Sequence, residues 1–265
     1  MSRAVRWFAS IVLVLLISAA MIAEWVAPHS YEEQSRDFPS VAPSKQFPLG
    51  TDELGRDRFS RLIYGTRVSL LLAPAAALVS TAIAFAFGVF AAFAGGWWER
   101  IAMGVTDLLL ALPTILILLT VRALMPLNTS PWLSIVITCG LLGALGWPPA
   151  ARVVRAEMAS LLNSDFITQA RATGQGAGRI LWRHLVPNFR PILTAQFCVL
   201  VPVFILSEAN LSLLGLGVAE PLPSWGNLLR ELENYAAIGE RPWALAPLAV
   251  LMTAMLCLHV VLRSG

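Results

Sequence analysis

The side chains in this sequence that could do chemistry fall in two settings. Asp107 and Glu208 are acids inside long apolar runs, with Asn210 and Ser212 close behind the second. Ionisable groups at such depth face an interior or a water-filled cavity by default, because lipid offers them no partner. Both a structural hydrogen bond between helices and a place on a solute pathway remain open for Glu208, and a structural pairing with Arg100 or with another subunit for Asp107. The second setting is the polar block NSDFITQARATGQGAGRILWRHLVP, residues 163–187. Arg171, Arg179 and Arg183, with Arg190 just beyond, make it costly to bury in lipid. Phe166, Ile167, Ile180, Leu181, Trp182 and Leu185 recur at helical spacing and suit a protein groove, which makes this block a candidate docking element. A solvated loop whose apolar residues fold back on their own chain accounts for the same spacing.

Other chemistries lack their residues. The chain has no G-x-x-x-x-G-K-[ST] stretch, and its one lysine is Lys45, so it carries no phosphate-cradling loop of that kind. It has no H-E-x-x-H, no G-x-S-x-G and no paired cysteines. His29, His184 and His259 are scattered and read as structural; Cys139, Cys198 and Cys257 sit inside apolar runs without ligand spacing and read as small core residues. No site for a metal or cofactor is expected on this chain.

What positions these residues is a membrane fold. Hydrophobic residues make up 57% of the chain, charged residues 13%, and the mean hydropathy is +0.70; soluble domains carry roughly 25% charge. A helix needs about 20 apolar residues to cross a hydrocarbon core about 30 Å thick. Apolar runs at 7–27, 68–94, 101–125, 132–151, 191–218 and 243–262 meet that length, which predicts an all-α integral membrane fold of about six transmembrane helices. The first run could be read as a signal peptide, since Arg3 and Arg6 precede it and Ser18, Ala19 and Ala20 follow, but it stays apolar through Met21, Ile22 and Ala23, reaches Trp25 and Val26 after Glu24, and reads better as an uncleaved helix.

Six crossings put both termini on one side. Arg3, Arg6, Arg100, Arg152, Arg155 and the arginines of the 163–187 block then share that side, which marks it as the cytoplasm. The opposite loop, 28–67, also holds Arg36, Lys45, Arg56, Arg58, Arg61 and Arg67, but they alternate with acids. The net charge of +3 is spent on topology, and no aromatic-interleaved basic patch points to nucleic acid. The expected division is 1–67, a helix followed by an external loop with an interfacial helix, and 68–265, a core of five helices with a cytoplasmic loop at 152–190.

Within that plan, 28–48 is polar, Pro-punctuated and expected to be irregular. Thr51 and Asp52 can cap an amphipathic helix bearing Leu54, Phe59, Leu62 and Ile63 along the membrane surface. The Ala-rich second run, with Gly88, Gly95 and Gly96, is a close-packing helix. Pro113, Pro148, Pro149, Pro202 and Pro247 are expected kinks. Trp225 suits the lipid interface, and 227–235 a short amphipathic helix. In the polar block, Ser164 is a candidate N-cap, Gly174 the helix break, and a second helix from about Ala177 should end before Pro187.

Several of these stretches together resemble the membrane-spanning permease subunits of binding-protein-dependent ABC importers, of the C-type found in dipeptide and oligopeptide systems. That family carries a cytoplasmic signature of E-A-A, Gly after three residues, and after nine more a hydrophobic residue, one residue, then Leu-Pro. Here the corresponding positions read Thr168, Gln169, Ala170, Gly174, His184, Val186 and Pro187. The glycine and proline are kept; the acid, the first alanine, the hydrophobic residue and the leucine are not. PLGTDELGRDRFSRLIYGTRVSLL from Pro48, DLLLALPTILILL from Asp107 and EANLSLLGLGVAEPLPSWGNLL from Glu208 accompany it. The sequence stops at Arg263, Ser264 and Gly265, where family members usually continue with a polar stretch, so no contact of such a tail is carried over.

The resemblance implies a fold similar to type I ABC importers, with a coupling-helix loop between helices 4 and 5. It implies a heterodimer with a second permease subunit, two cytoplasmic ATP-binding subunits that hold ATP and magnesium, and an external solute-binding protein. It places ATPase coupling on Phe166, Ile167, Ala170, Arg171, Thr173, Gly174 and Pro187. Short peptides are the first substrate expectation, with nickel and glutathione systems similar enough to stand beside them. An ion-coupled secondary transporter using Asp107 and Glu208, or a scaffold binding a soluble partner through the 163–187 loop, are the rivals from other classes.

Overall fold

A computed structural model describes residues 3–126, 129–233, 239 and 241–262, the side chains of Arg171 and Ala177 excepted. Its regular elements are helical. They are α1 (Arg3–Met21), α2 (Ala23–Val26), α3 (Arg58–Ala94), α4 (Gly96–Ala111), α5 (Thr114–Ala123), α6 (Pro131–Leu145), α7 (Pro148–Leu162), α8 (Asp165–Ala172), α9 (Ala177–Ile180), α10 (Val186–Leu213), α11 (Trp225–Leu229) and α12 (Ala246–Leu262). Among the described residues four helical stretches are long and apolar enough to span a membrane: Arg3–Met21, Arg58–Ala94, Gly178–Leu213 and Pro242–Leu262. Two bent pairs, α4 with α5 and α6 with α7, bring the number to six if each is one span. The protein is an all-α, multi-pass membrane protein.

The bends have local causes. Pro113 disfavours helical backbone in the residue before it, and Leu112 is extended at φ −89°, ψ 136°; α4 and α5 meet there at 83°. Pro148 and Pro149 open the first turn of α7, where a missing N–H costs nothing, and the bend from α6 is 42°. The kinks expected at Pro202 and Pro247 are not breaks: α10 runs on through Pro202, and Pro247 sits in the opening turn of α12.

Two further expectations are corrected. Thr51 and Asp52 cap no helix. The Thr51 hydroxyl donates to the Phe38 carbonyl at 2.5 Å, and Asp52 accepts from the Leu54 and Arg56 amides, closing a turn. The cap is Asp57, whose Oδ2 accepts from both the amide and the hydroxyl of Ser60 at 2.9 and 2.6 Å, so Phe59, Leu62 and Ile63 belong to the first turns of one long helix, α3. Nor does the helix from Ala177 stop before Pro187. Leu181–Leu185 forms a π turn that passes directly into α10, and the Val186 amide reaches back to the Leu181 carbonyl. The wider π turn gives the Pro187 ring room that an α turn, one residue tighter, would deny it. Residues 28–48 are irregular, as their prolines predict.

The chain divides into two compact units, residues 1–73, 121–139 and 202–265 forming one and residues 74–120 and 140–201 the other. In the first, α1 packs along α12 through Ala9, Leu13 and Cys257, while Trp7, Phe8, Ile11, Val14 and Leu15 of α1 stay exposed, as a lipid-facing helix requires. After α10, Gly215 takes φ +75° and turns the chain back. The returning segment is anchored by polar groups. The Ser134 hydroxyl donates to the Gly217 carbonyl at 3.1 Å and accepts from the Ala219 amide at 3.0 Å. Ser224 caps α11 by accepting from the Asn227 amide, and Asn227 Nδ2 donates to the Val218 carbonyl at 2.8 Å. Trp225 is fully buried rather than interfacial: its indole N–H donates to Thr66 Oγ1 at 2.9 Å and its amide to Ser69 Oγ at 3.1 Å. Gly226 lies so close to α10 that a Cβ there would stand 2.5 Å from the Ser212 Cβ and 2.7 Å from the Ala209 Cα.

In the second unit small residues let helices approach. A Cβ on Gly88 of α3 would lie 2.6 Å from Val154 Cγ1 of α7, and one on Gly143 of α6 would lie 2.7 Å from Val79 Cγ1 of α3. Val154, Met158 and Leu162 of α7 continue the seam with Phe85 and Val89 into a cluster holding Ile167, Ala170, Ile180, Leu185 and Phe189.

Because Trp225 fills its site and bonds Thr66, Trp225→Ala is expected to cost about 3–5 kcal/mol; a thermal melt of the purified protein in detergent checks this, with Trp225→Phe falling between the two by the value of the orphaned hydroxyl.

Candidate functional site

The 163–187 block is helical where its spacing predicted and breaks where its glycine predicted. α8 runs from Asp165 to Ala172 with Asp165 in its first turn, where a carboxylate opposes the positive helix end. Ser164 does not cap it by side chain; its hydroxyl turns back to the Leu161 carbonyl at 2.5 Å. Gly174 closes the helix at φ +77°, with the Gln175 amide donating to the Ala170 carbonyl at 3.2 Å, the six-to-one bond of a left-handed C-cap. Across that turn, His184 Nε2 lies 3.0 Å from Gln175 Oε1, so the polar residue standing at the signature's hydrophobic position ties the two halves of the loop.

The structure sorts the named residues of the loop into two sets. Ile167 and Ala170 are buried among Met158, Ile180, Leu185 and Phe189, and so hold α8 to α7 and to the start of α10. Phe166 is 41% exposed and Trp182 70%, while Thr173, Gly174 and Pro187 are also exposed. The Arg171 side chain lies outside the described residues. Phe166 and Trp182 are thus large apolar side chains left exposed on an element that is braced from within by Ile167 and Ala170.

The intramembrane acids part company. Asp107 pairs with Arg152 rather than Arg100, Arg152 Nε donating at 3.0 Å, and Glu99 pairs with Arg155 one register along, so α4 is pinned to α7 twice. Asp107 and Arg152 are each half exposed. Glu208 is 1% exposed, its Oε1 accepting from Ser212 Oγ at 2.6 Å, with the Ser224 hydroxyl and the Gly226 amide against the same carboxylate. It therefore belongs to the anchorage of the returning segment. Asn210, on the other face of α10, is exposed.

A second polar centre lies wholly in the first unit. Arg61, 2% exposed, donates to both oxygens of Glu220 at 3.0 and 3.2 Å and to the Pro221 carbonyl at 3.3 Å; Arg56 bonds Asp52 at 2.6 Å and Glu220 at 2.7 Å. Burial opposes the charge on Arg56, but Asp52 and Glu220 outweigh it and hold its pKa above the ordinary value. Burial pushes the Glu231 carboxyl up, with Arg58 at 2.8 Å pulling the other way. These groups surround an open cavity of about 530 Å³. Sequence spacing reads the basic and acidic residues of 28–67 only as a loop of alternating charge, because their partner Glu220 is distant in the chain. Arg122 was missed as well, though an arginine inside the apolar run 101–125 is itself a signal. Among the described residues no three His, Cys, Asp or Glu side chains gather as metal ligands.

Residues 84–263 match the family of binding-protein-dependent transport system inner membrane components, and the chain belongs to that family. It is similar along 96% of its length, at 34% identity, to a putative peptide permease protein of Brucella suis, covering 82% of that protein. It is 34% identical to the di/tripeptide transport system permease protein DppC of Pseudomonas aeruginosa over 92% of this chain and 80% of that one. With the glutathione transport system permease protein GsiD of Escherichia coli the identity is 33%, over 93% and 80% of the two chains. The chain is thus a transport permease subunit rather than an enzyme.

Because the Asp107–Arg152 pair is half exposed, a double-mutant cycle with Asp107→Asn and Arg152→Gln, read by thermal melting in detergent, is expected to return a coupling of only about 0.2–1 kcal/mol.

Proposed function

We propose that this chain is the C-type permease subunit of an ATP-driven importer that moves dipeptides and oligopeptides into the cytoplasm. The likeness to peptide permeases along nearly the whole chain carries this reading. A glutathione importer is the second reading, favoured by the comparable likeness to a glutathione permease. In the first, the chain sits in a prokaryotic plasma membrane with both termini cytoplasmic. It pairs with a second permease subunit and engages two ATP-binding subunits inside and a solute-binding protein outside. Residues 1–67 add a helix and an external segment to a permease core, 68–265, whose loop 152–190 takes up the motion of the ATPases.

Phe166, Thr173, Gly174 and Pro187 form the outer side of the coupling element, and Ile167 and Ala170 brace it from within; Arg171 is assigned to it from the sequence alone. ATP binding closes the ATPase pair, the docked loop follows, and the bent helices open the path outward; hydrolysis resets it. The ATP-binding subunits must grip the two conformations with different strength, since equal affinity shifts nothing. Asp107, Glu208 and Asn210 act in this reading as packing residues beside the path.

Gly174 provides the test. A valine there has open space around its Cβ but must adopt φ +77°, which costs about 1–2 kcal/mol for a residue with a Cβ, whereas asparagine tolerates that backbone. In proteoliposomes of the whole transporter, Gly174→Val is expected to lower both peptide uptake and the ATPase stimulation by loaded receptor, and Gly174→Asn to preserve them. Equal coupling in the two variants overturns the role of the loop.

A further inference from the structure

Arg122 takes no part in the reading above, yet its burial demands an explanation. It lies in the last turn of α5 and is 2% exposed. Its one hydrogen bond among the described residues is a long one, 3.4 Å, to the Pro126 carbonyl of its own chain turn, and its Nε has no partner. Thr129 Oγ1, buried nearby in sequence, has none either. Both side chains line one cavity of about 290 Å³, with the turn at Gly215 and Gly217–Ala219 as backbone wall and Arg230 on the rim, its guanidinium over Gly215.

The remaining polar groups of that cavity are already committed. Glu220 is held by Arg56 and Arg61, and Asn227 Nδ2 donates to the Val218 and Leu222 carbonyls. What is left over is donor capacity: the Arg122 guanidinium, the Thr129 hydroxyl and Arg230. A guanidinium taken out of water without an anion is costly, and its planar fork matches the two oxygens of a carboxylate. Because Glu220 is committed to Arg56 and Arg61, the positive charge of Arg122 and Arg230 has no acid of its own in the cavity and suits an anion. The cavity also shares Glu220, Asn227 and Arg230 with the larger one of about 530 Å³, where Glu53 and Glu233 have no ion-pair partner among the described residues. A short zwitterion bound by its carboxylate at Arg122 would find acids there for its ammonium group.

We propose that Arg122, Arg230 and Thr129, with the 215–219 turn, form a carboxylate-binding pocket that receives the C-terminal carboxylate of a short peptide. The pocket rests on the peptide-import reading for the identity of its ligand, but not for its charge.

The test is a thiol placed in the pocket, Ala219→Cys, in a chain with Cys139, Cys198 and Cys257 replaced by alanine, expressed with its partner subunits in whole cells. Its reaction rate is compared for an anionic methanethiosulfonate sulfonate and a cationic methanethiosulfonate trimethylammonium. The anionic reagent is expected to react about tenfold faster. Arg122→Gln should abolish that preference, Arg122→Lys should recover part of it, and Arg230→Gln, an exposed substitution that spares folding, should reduce it. Dialanine should protect the thiol and dialanine amide should not. The same cells are assayed for uptake of labelled dialanine, with acetate and inorganic phosphate as further protectants. No preference for the anionic reagent, with uptake intact, overturns the pocket and leaves the importer reading standing. A preference with protection by acetate but no dialanine uptake overturns the importer reading and leaves the pocket. Protection by phosphate and not by dialanine, or equally by dialanine and its amide, overturns the peptide assignment.

Discussion

A chain that turns back on itself among apolar helices must bring hydrogen-bond partners for every polar group it buries, and in this protein the return after α10 is the place where that constraint is met most densely. Leaving a buried donor or acceptor unpaired costs about 1–3 kcal/mol. Trp225, Ser224, Asn227, Glu208 and Ser212 each find a partner within the segment or on α3, and Ser134 of α6 serves the Gly217 carbonyl and the Ala219 amide together. The anchored segment then presents Glu220 to Arg56 and Arg61, so the 52–61 turn and the opening of α3 are held by the same set of bonds. Arg122 differs from Glu208 and Arg61, which also keep one buried atom without a partner, in that its one bond among the described residues is the long contact of 3.4 Å to the Pro126 carbonyl.

Much of the fold was legible from residue pattern. Apolar runs of span length, the irregular 28–48 stretch, the helix break at Gly174 and the bends at Pro113 and Pro148 follow from composition and from backbone chemistry that acts within a few residues. The errors arose where spacing left two local choices open or where a distant residue decides. Thr51 and Asp52 read as a cap because cap residues precede an apolar stripe, but Asp57 does so too, and the bridge between Thr51 and Asp57 assigns the role. Trp225 read as interfacial because amphipathic rings favour that depth; only Thr66, far back in the chain, makes a dry site for its N–H. Pro187 read as a terminator because an α turn cannot carry it, and a π turn can.

The candidate loop shows the same division. Spacing identified its apolar residues but not their direction, since α8 is short enough that a face cannot be told from periodicity. Packing against α7 draws Ile167 and Ala170 inward and leaves Phe166 out. The family resemblance supplied the register of the signature, and the His184–Gln175 contact gives the polar residue at the signature's hydrophobic position a structural part, a polar bridge across the turn.

The glycines at 88 and 143 have a mechanical meaning. Val154 of α7 sits in the gap left by the first and Val79 of α3 in the gap left by the second, so each helix pair is keyed like a tooth in a notch. A small axial creep would drive a branched side chain onto bare main chain. Such pairs stay put or jump a whole turn of about 5.4 Å, which makes these seams detents rather than slides.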